Sequence, residues 1–195
     1  MTKNNIYLQN KAVLMKITIS GKIGAGKTTV SKELCKRFKL KYLSTGKIMR
    51  DLAKEKGLSI GEFLDLAKKH PKYHRELDTK TKEIGKIQDD FVFDSRLAFY
   101  FIPYSIKLFL DVDIDIAARR IFKQKRKNEK ENNSLEQIRK SIKKREKTEV
   151  ESFKKLYGIN HLDKKHYDLV IDTSKSTPAK DMRKIIDFLS QKQKL

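Results

Sequence analysis

The eight residues Gly21-Lys22-Ile23-Gly24-Ala25-Gly26-Lys27-Thr28 fit the pattern G-x-x-x-x-G-K-[ST], and with their neighbours they confine the fold more tightly than any other part of the chain. Before them, Val13 to Ser20 is an apolar, β-branched stretch bounded by glycine, which reads as a buried strand. After them, Thr29 to Leu40 places apolar residues at helical spacing. A glycine-rich turn between strand and helix lets backbone N–H groups close around phosphate oxygens, and the helix N-terminus adds a favourable dipole. In that arrangement Lys27 reaches the β- and γ-phosphates and the Thr28 hydroxyl ligates magnesium. Gly21, Lys22, Ile23, Gly24, Ala25, Gly26, Lys27, Thr28 and Thr29 are therefore read as a nucleoside-triphosphate site. A glycine turn that binds nothing is the weaker alternative, because the flanking strand and helix are both in place.

Composition sets the bounds around that site. A chain of 195 residues is expected to form one domain with room for an inserted subdomain. No run of 18 apolar residues occurs, and the N-terminus lacks the charged-then-apolar design of a secretory signal, so no membrane partner is expected. The lone Cys35 excludes an internal disulfide and points to the cytoplasm. Residues 1–14 read as a polar extension and 15–195 as the folded domain. The net charge of +21 invites a nucleic-acid reading. A cleft for two phosphorylated nucleotides needs positive charge as well, however, and the excess here is mostly lysine scattered from Lys3 to Lys194 rather than arginine gathered with aromatics. Specific nucleic-acid binding is not expected.

The rest of the chain alternates strand and helix, which defines an α/β fold. Strands are predicted at Val13–Ser20, Lys41–Ser44, Phe91–Asp94, Lys107–Val112 and Tyr167–Asp172. The last two are short, apolar and end in acids, as central parallel strands do when their C-terminal edge carries chemistry. Helices are predicted at Lys27–Phe38, Gly46–Lys56, Ser59–Lys69, Pro71–Ile84, Ile114–Arg126, Ser134–Tyr157 and Pro178–Gln191, with capping boxes at Ser59-x-x-Glu62 and Ser134-x-x-Gln137. The charged run Lys125 to Asn133 between two helices reads as a lid that keeps water from a transferable phosphoryl group.

Four places suggest a second substrate. Ser44-Thr45-Gly46-Lys47-Ile48-Met49-Arg50 puts a hydroxyl, a glycine turn and an arginine near the mouth of the cleft. Phe91-Val92-Phe93-Asp94-Ser95-Arg96 ends a strand in an acid placed to hold magnesium through water and a cation placed for an anionic acceptor. Arg119 and Arg120 open the helix before the lid, and Arg145 lies on the helix returning from it, so arginines can neutralise charge on a phosphoryl group from both sides. The turn Thr173-Ser174-Lys175 after the last strand is placed to touch a nucleotide base.

From Met15 to Leu189 the chain resembles the archaeal-type cytidylate kinases, within the nucleoside monophosphate kinases. The resemblance rests on the phosphate loop, Ser44-Thr45-Gly46-x-Ile48-x-Arg50, His70-Pro71, Arg75-Glu76-Leu77-Asp78, Arg96-Leu97-Ala98, Tyr157-Gly158-Ile159 and Tyr167 to Ser174. It implies a P-loop kinase fold, with a five-stranded parallel sheet carrying helices on both faces. A small helical acceptor subdomain over 45–88 and a short lid over 124–134 come with it. It also implies transfer of the γ-phosphoryl of ATP to CMP or dCMP with Mg2+, by a monomer. Thr45, Gly46, Arg50 and Arg96 would hold the monophosphate, Arg120 would lie against the donor adenine, and Arg145 would contact the transferring phosphate, with Lys27, Arg96 and Arg145 as catalytic groups and Thr28 and Asp94 toward the metal. Four positions depart from the family pattern: Asp94-Ser95-Arg96 stands for Glu-Gly-Arg, His74 for an aspartate, Ser152 for a second arginine on the returning helix, and Gln124 for an arginine near the lid. A kinase for another nucleoside monophosphate is the alternative that His74 and Ser152 favour, and a P-loop NTP-binding protein acting on RNA is the one the charge favours. Arg50, Asp94, Arg96 and Arg145 together argue for the kinase.

Overall fold

Strand β1 (Lys16–Gly21) is buried from its second residue to its last, which a strand achieves only when helices cover both faces of its sheet. A computed structural model describes residues 14–124 and 134–192, so all but the last residue of the extension expected over 1–14 and the run 125–133 within the expected lid lie outside the described residues. The elements that follow β1 are α1 (Lys27–Phe38), β2 (Lys41–Ser44), α2 (Thr45–Glu55), α3 (Ile60–Lys69), α4 (Pro71–Ile87), β3 (Phe91–Asp94), α5 (Ala98–Phe101), β4 (Ile106–Asp111), α6 (Ile114–Gln124), α7 (Leu135–Tyr157), a 3-10 turn (Lys164–His166), β5 (Leu169–Asp172) and α8 (Pro178–Lys192). The sheet order is β2-β3-β1-β4-β5. Its four pairings are all parallel, with Ile19 opposite Asp94 and Gly21 opposite Leu110.

Chain order reverses on the two sides of β1, and in such sheets ligands bind in the crevice beyond the strand ends at that switch point. Asp94 and the glycine loop are both carried there by adjacent strand ends. Local chemistry fixes the helices around it. Ser44 caps α2 by accepting from the Lys47 N–H, Ser59 and Glu62 form the complete capping box of α3, and Ser134 accepts from the Gln137 N–H to start α7.

Two apolar clusters hold the layers together. One joins β1, β4 and β5 to α1, α6, α7 and α8 through Ile17, Leu34, Leu108, Ile138 and Ile185. The other packs Ile48, Leu52 and Phe63 from α2 and α3 against Phe91, Phe93 and Ile102, with Tyr73 and Leu77 of α4 at its edge. Burial of a side chain such as Phe63, 1% exposed, is worth about 1.5–3 kcal/mol.

The fold is the one expected, with differences at the ends. β1 starts at Lys16, and α4 runs three residues past the predicted Ile84. The four-residue α5 and the 3-10 turn were not predicted, since one helical turn shows no period. Arg119 and Arg120 stand in the middle of α6 rather than at its start, because Ile114 begins the helix. Among the described residues no helix is long and apolar enough to cross a membrane.

Candidate active site

The loop between β1 and α1 takes its path because glycine permits it. Gly21 has φ +141°, and a Cβ there would lie 2.2 Å from the Leu110 carbonyl oxygen, where β4 passes and accepts from the Lys22 N–H at 3.0 Å. Gly24 has φ +78° and a Cβ there would meet Ala117 of α6 at 2.9 Å. The backbone thus packs against β4 and α6 with its N–H groups at the head of α1, a ready anion site. Lys27 Nζ donates to the carbonyls of Gly21 (2.9 Å) and Lys22 (2.8 Å). Burial, then the nearby Arg96 guanidinium, brings its pKa down to about 8.

At the adjoining strand end Thr28 Oγ1 donates to Asp94 Oδ2 at 2.7 Å, and the Tyr42 hydroxyl donates to the same oxygen at 3.2 Å. A hydroxyl and a carboxylate side by side are hard oxygen donors of the kind magnesium takes beside phosphate oxygens, so this pair fits that ion. Ser95, where the family pattern has glycine, accepts from the Leu97 and Ala98 N–H groups and anchors the start of α5.

Two cavities meet here. One, of about 510 Å³, is lined by the glycine loop, Thr29, Arg120, Thr173 and Pro178. The other, of about 720 Å³, is lined by Thr45, Gly46, Arg50, His74, Asp78 and Tyr157 among others. Lys27, Thr28, Arg96 and Arg145 line both. A larger groove of about 850 Å³ between α1 and α8 shows no such convergence. Arg120 braces the first cavity, donating to Thr173 Oγ1 (3.0 Å), the Thr173 carbonyl (2.6 Å) and the Gly24 carbonyl (3.4 Å). Ile23 to Thr29, Thr45, Gly46, Arg50, Asp94, Arg96, Arg120, Arg145 and Thr173 line one or both of the cavities, Gly21 ends β1 and Lys22 begins the loop after it, whereas Arg119, Ser174 and Lys175 line neither. Ser152 does not line the second cavity. Phe153, the next residue on α7, does.

The sequence reading missed the group that organises the arginines. Glu149 of α7 sets Oε2 2.6 Å from Arg96 Nε and Oε1 3.3 Å from Arg145 Nε. No aligned hydrogen bond reaches Oε2, so the tie to Arg96 is ionic. Burial lowers the Arg96 pKa and Glu149 opposes that shift. Glu149 lies four residues after Arg145 on one helix face, a signal that was present but buried among the many Lys–Glu spacings of α7. Asp111 is a second such group. It lies 2.8 Å from Lys22 and 2.7 Å from Lys164, and although burial opposes it, those two lysines hold its carboxyl below the usual range.

Behind Glu149 stands His161, 1% exposed, with Nε2 4.0 Å from Glu149 Oε2, Nδ1 without a hydrogen-bond partner, and its ring edge-on to Phe153. Burial, then Arg96 and Lys27, lower its pKa from 6.5 to about 4. A base depressed in the fold keeps its full stability above the unfolded value and loses it as pH falls from 6.5 toward 4, by about 3 kcal/mol in all. His161→Leu is expected to flatten that acid limb in melting curves taken between pH 7.5 and 5. An unchanged limb would rule His161 out as its source.

Comparison with solved structures agrees with this layout. Shikimate kinase from Acinetobacter baumannii has a TM-score of 0.63 at 16% identity over 92% of this chain and 95% of its own. Shikimate kinase from Bacteroides thetaiotaomicron has 0.64 at 13% identity over 94% and 100%. That likeness speaks for the fold, and the fold with its paired cavities meeting on one lysine defines the class: a P-loop kinase, which must bring donor and acceptor to opposite sides of one phosphoryl group. Within that class the model of the cytidylate kinase-like family matches residues 16–175, and the chain belongs to that family. The cytidylate kinase of Pyrococcus horikoshii is 37% identical over 83% of this chain and 81% of its own length. That of Methanosarcina acetivorans is 36% identical over 83% and 88%.

Proposed function

We propose that the protein transfers the γ-phosphoryl of ATP to CMP or dCMP, giving the nucleoside diphosphate and ADP. The observation that carries this reading is the meeting of the two cavities on Lys27, Thr28, Arg96 and Arg145. ATP occupies the smaller cavity, with its phosphates against the glycine loop and Lys27 and its adenine toward Arg120 and the Thr173 turn. The monophosphate occupies the larger one, its phosphate held by Thr45, Gly46, Arg50 and Arg96. An acceptor phosphate oxygen attacks the γ-phosphorus as the bond to the β–γ bridging oxygen breaks. The leaving charge stays on ADP, and no protein nucleophile takes part. Lys27, Arg96 and Arg145 hold the reacting groups in line and neutralise charge on the equatorial oxygens. Thr28 and Asp94 would hold Mg2+, which when bound shields the donor phosphates.

In this reading residues 45–88 form the acceptor subdomain, 124–134 the lid and 1–14 an extension, and the enzyme works as a cytoplasmic monomer. The family membership and the names of the relatives support the pyrimidine acceptor. Nucleoside monophosphates offered singly with Mg-ATP and scored by ADP release should show CMP or dCMP as the best substrate. A preference for AMP, GMP or UMP would replace the acceptor and leave the reaction class standing. Absence of ADP release with every monophosphate would overturn the kinase reading.

A further inference from the structure

The smaller cavity holds a charge that a triphosphate does not call for. Four cations line it: Lys27, Arg96 and Arg145 where it meets the larger cavity, and Arg120 beside Thr173. A single carboxylate lines it as well among the described residues, that of Asp181 on α8. Asp181 is 3% exposed, and among the described residues no ion pair reaches it. Its side-chain partner is the Ser176 hydroxyl, which donates to Oδ1. Oδ2 takes no hydrogen bond from a described residue and still is not sealed from solvent. The space left to that oxygen is the cavity that Asp181 lines.

A buried carboxylate without a cation costs stability, and one facing a triphosphate costs affinity unless the ligand brings it a donor. Capping does not account for it, because Thr177 Oγ1 already accepts from the Lys180 N–H at the head of α8. The dipole of α8 favours an acid in its first turn, yet it would do so equally at an exposed position. Placement suits a base instead. Asp181 does not line the larger cavity, so it stands away from the junction where the phosphates meet. Pro178, three residues earlier and hence a neighbour on the same face of α8, lines the smaller cavity with it. Arg120 spends both terminal nitrogens on the oxygens of Gly24 and Thr173, which leaves its flat face for a ligand. A guanidinium plane and a proline ring suit the face of a base, and a carboxylate oxygen suits its edge.

We propose, resting on the reading of the smaller cavity as the ATP site, that Asp181 reads the donor base: Oδ1 is fixed by Ser176, and Oδ2 accepts from the exocyclic amine of adenine. Guanine presents a carbonyl oxygen at that place, which a carboxylate repels, so Asp181 selects ATP by refusing GTP as well as by bonding ATP. Ser176 is the positioning residue.

The test is kcat/KM for Mg-ATP and Mg-GTP at saturating CMP in the wild type, Asp181→Asn and Ser176→Ala. The melting shift that each nucleotide gives without an acceptor is measured alongside. The wild type is expected to prefer ATP by at least about tenfold. The Asn side chain keeps the shape and can turn an amide N–H toward the guanine carbonyl. In Asp181→Asn the ATP-to-GTP ratio is expected to fall about 10- to 100-fold, with GTP turnover equal to or above wild type. In Ser176→Ala it is expected to fall at least about threefold, since the carboxylate loses its fixed orientation. A ratio unchanged within about threefold in Asp181→Asn, or equal losses for ATP and GTP, would overturn the assignment and leave Asp181 as a pin between α8 and the turn before it. If Asp181→Asn does not fold, the Ser176→Ala ratio decides in the same sense. A wild type that takes both donors equally or prefers GTP would overturn the base-reading role while leaving the kinase intact. A wild type inactive with both donors on every monophosphate would fail the functional reading itself, and the melting shifts would then decide on Asp181 alone.

Discussion

Lys27→Ala is expected to reduce turnover by about 100- to 1,000-fold and to leave the melting temperature at or above that of the wild type. The first half follows from position. The Lys27 ammonium is fixed by the carbonyls of Gly21 and Lys22 where the two cavities meet, so it needs no reorganisation to face a terminal phosphate. The second half follows from its surroundings. Burial and Arg96 both disfavour its charge, so the folded state gains nothing from holding an ammonium there. The loop keeps its path through Gly21, Gly24 and the bond from Lys22 N–H to Leu110, none of which involves the side chain. Single-turnover phosphoryl transfer and a thermal melt check the two halves separately. A variant with more than about a tenth of wild-type turnover would remove the phosphate loop from the mechanism.

The parts of this site that could be read in the sequence are those whose position is set by short-range chemistry. A strand, a glycine loop and a helix in succession fix where Lys27 and Thr28 stand, because strained glycine backbone and a helix N-terminus leave few other paths. Arg50, Asp94 and Arg96 were legible because each stands at or shortly after the C-terminal end of a strand, and strand ends in a parallel sheet share one edge. What stayed hidden depends on contacts between distant segments. Asp78 and Tyr157 both fell in stretches singled out for their resemblance, yet nothing local says that they touch across 79 positions. Glu149 and His161 converge on Arg96 from α7 and from the segment after it, and a glutamate in a lysine-rich helix or a histidine in a polar segment reads as solvated surface. The inward face of α7 is hidden for the same reason. Ser152 stands where the family pattern has a second arginine, yet it is Phe153 that lines the cavity, because the packing of α7 on its neighbours sets which edge of the helix turns inward.

Arg96 carries the second large effect, and its two contacts allow its roles to be separated. Its side chain is 25% exposed, lines both cavities and lies 2.6 Å from Glu149 Oε2. If it binds the phosphoryl group in transfer, Arg96→Met should lower kcat/KM by about 100- to 1,000-fold. Arg96→Lys should recover only part of that, since a point charge cannot replace a fork of N–H donors. A purely structural role would look similar in the single variant, because removing Arg96 leaves Glu149 next to Lys27 and His161 with one counter-charge fewer. The double variant Arg96→Met with Glu149→Gln distinguishes them. With the carboxylate neutralised the structural penalty disappears, while a missing phosphate ligand stays missing. The expected result is a double variant that melts close to wild type and remains about as slow as Arg96→Met. Recovery of activity to within about threefold of wild type would assign Arg96 to holding Glu149 and leave Arg145 as the arginine that meets the transferring phosphate.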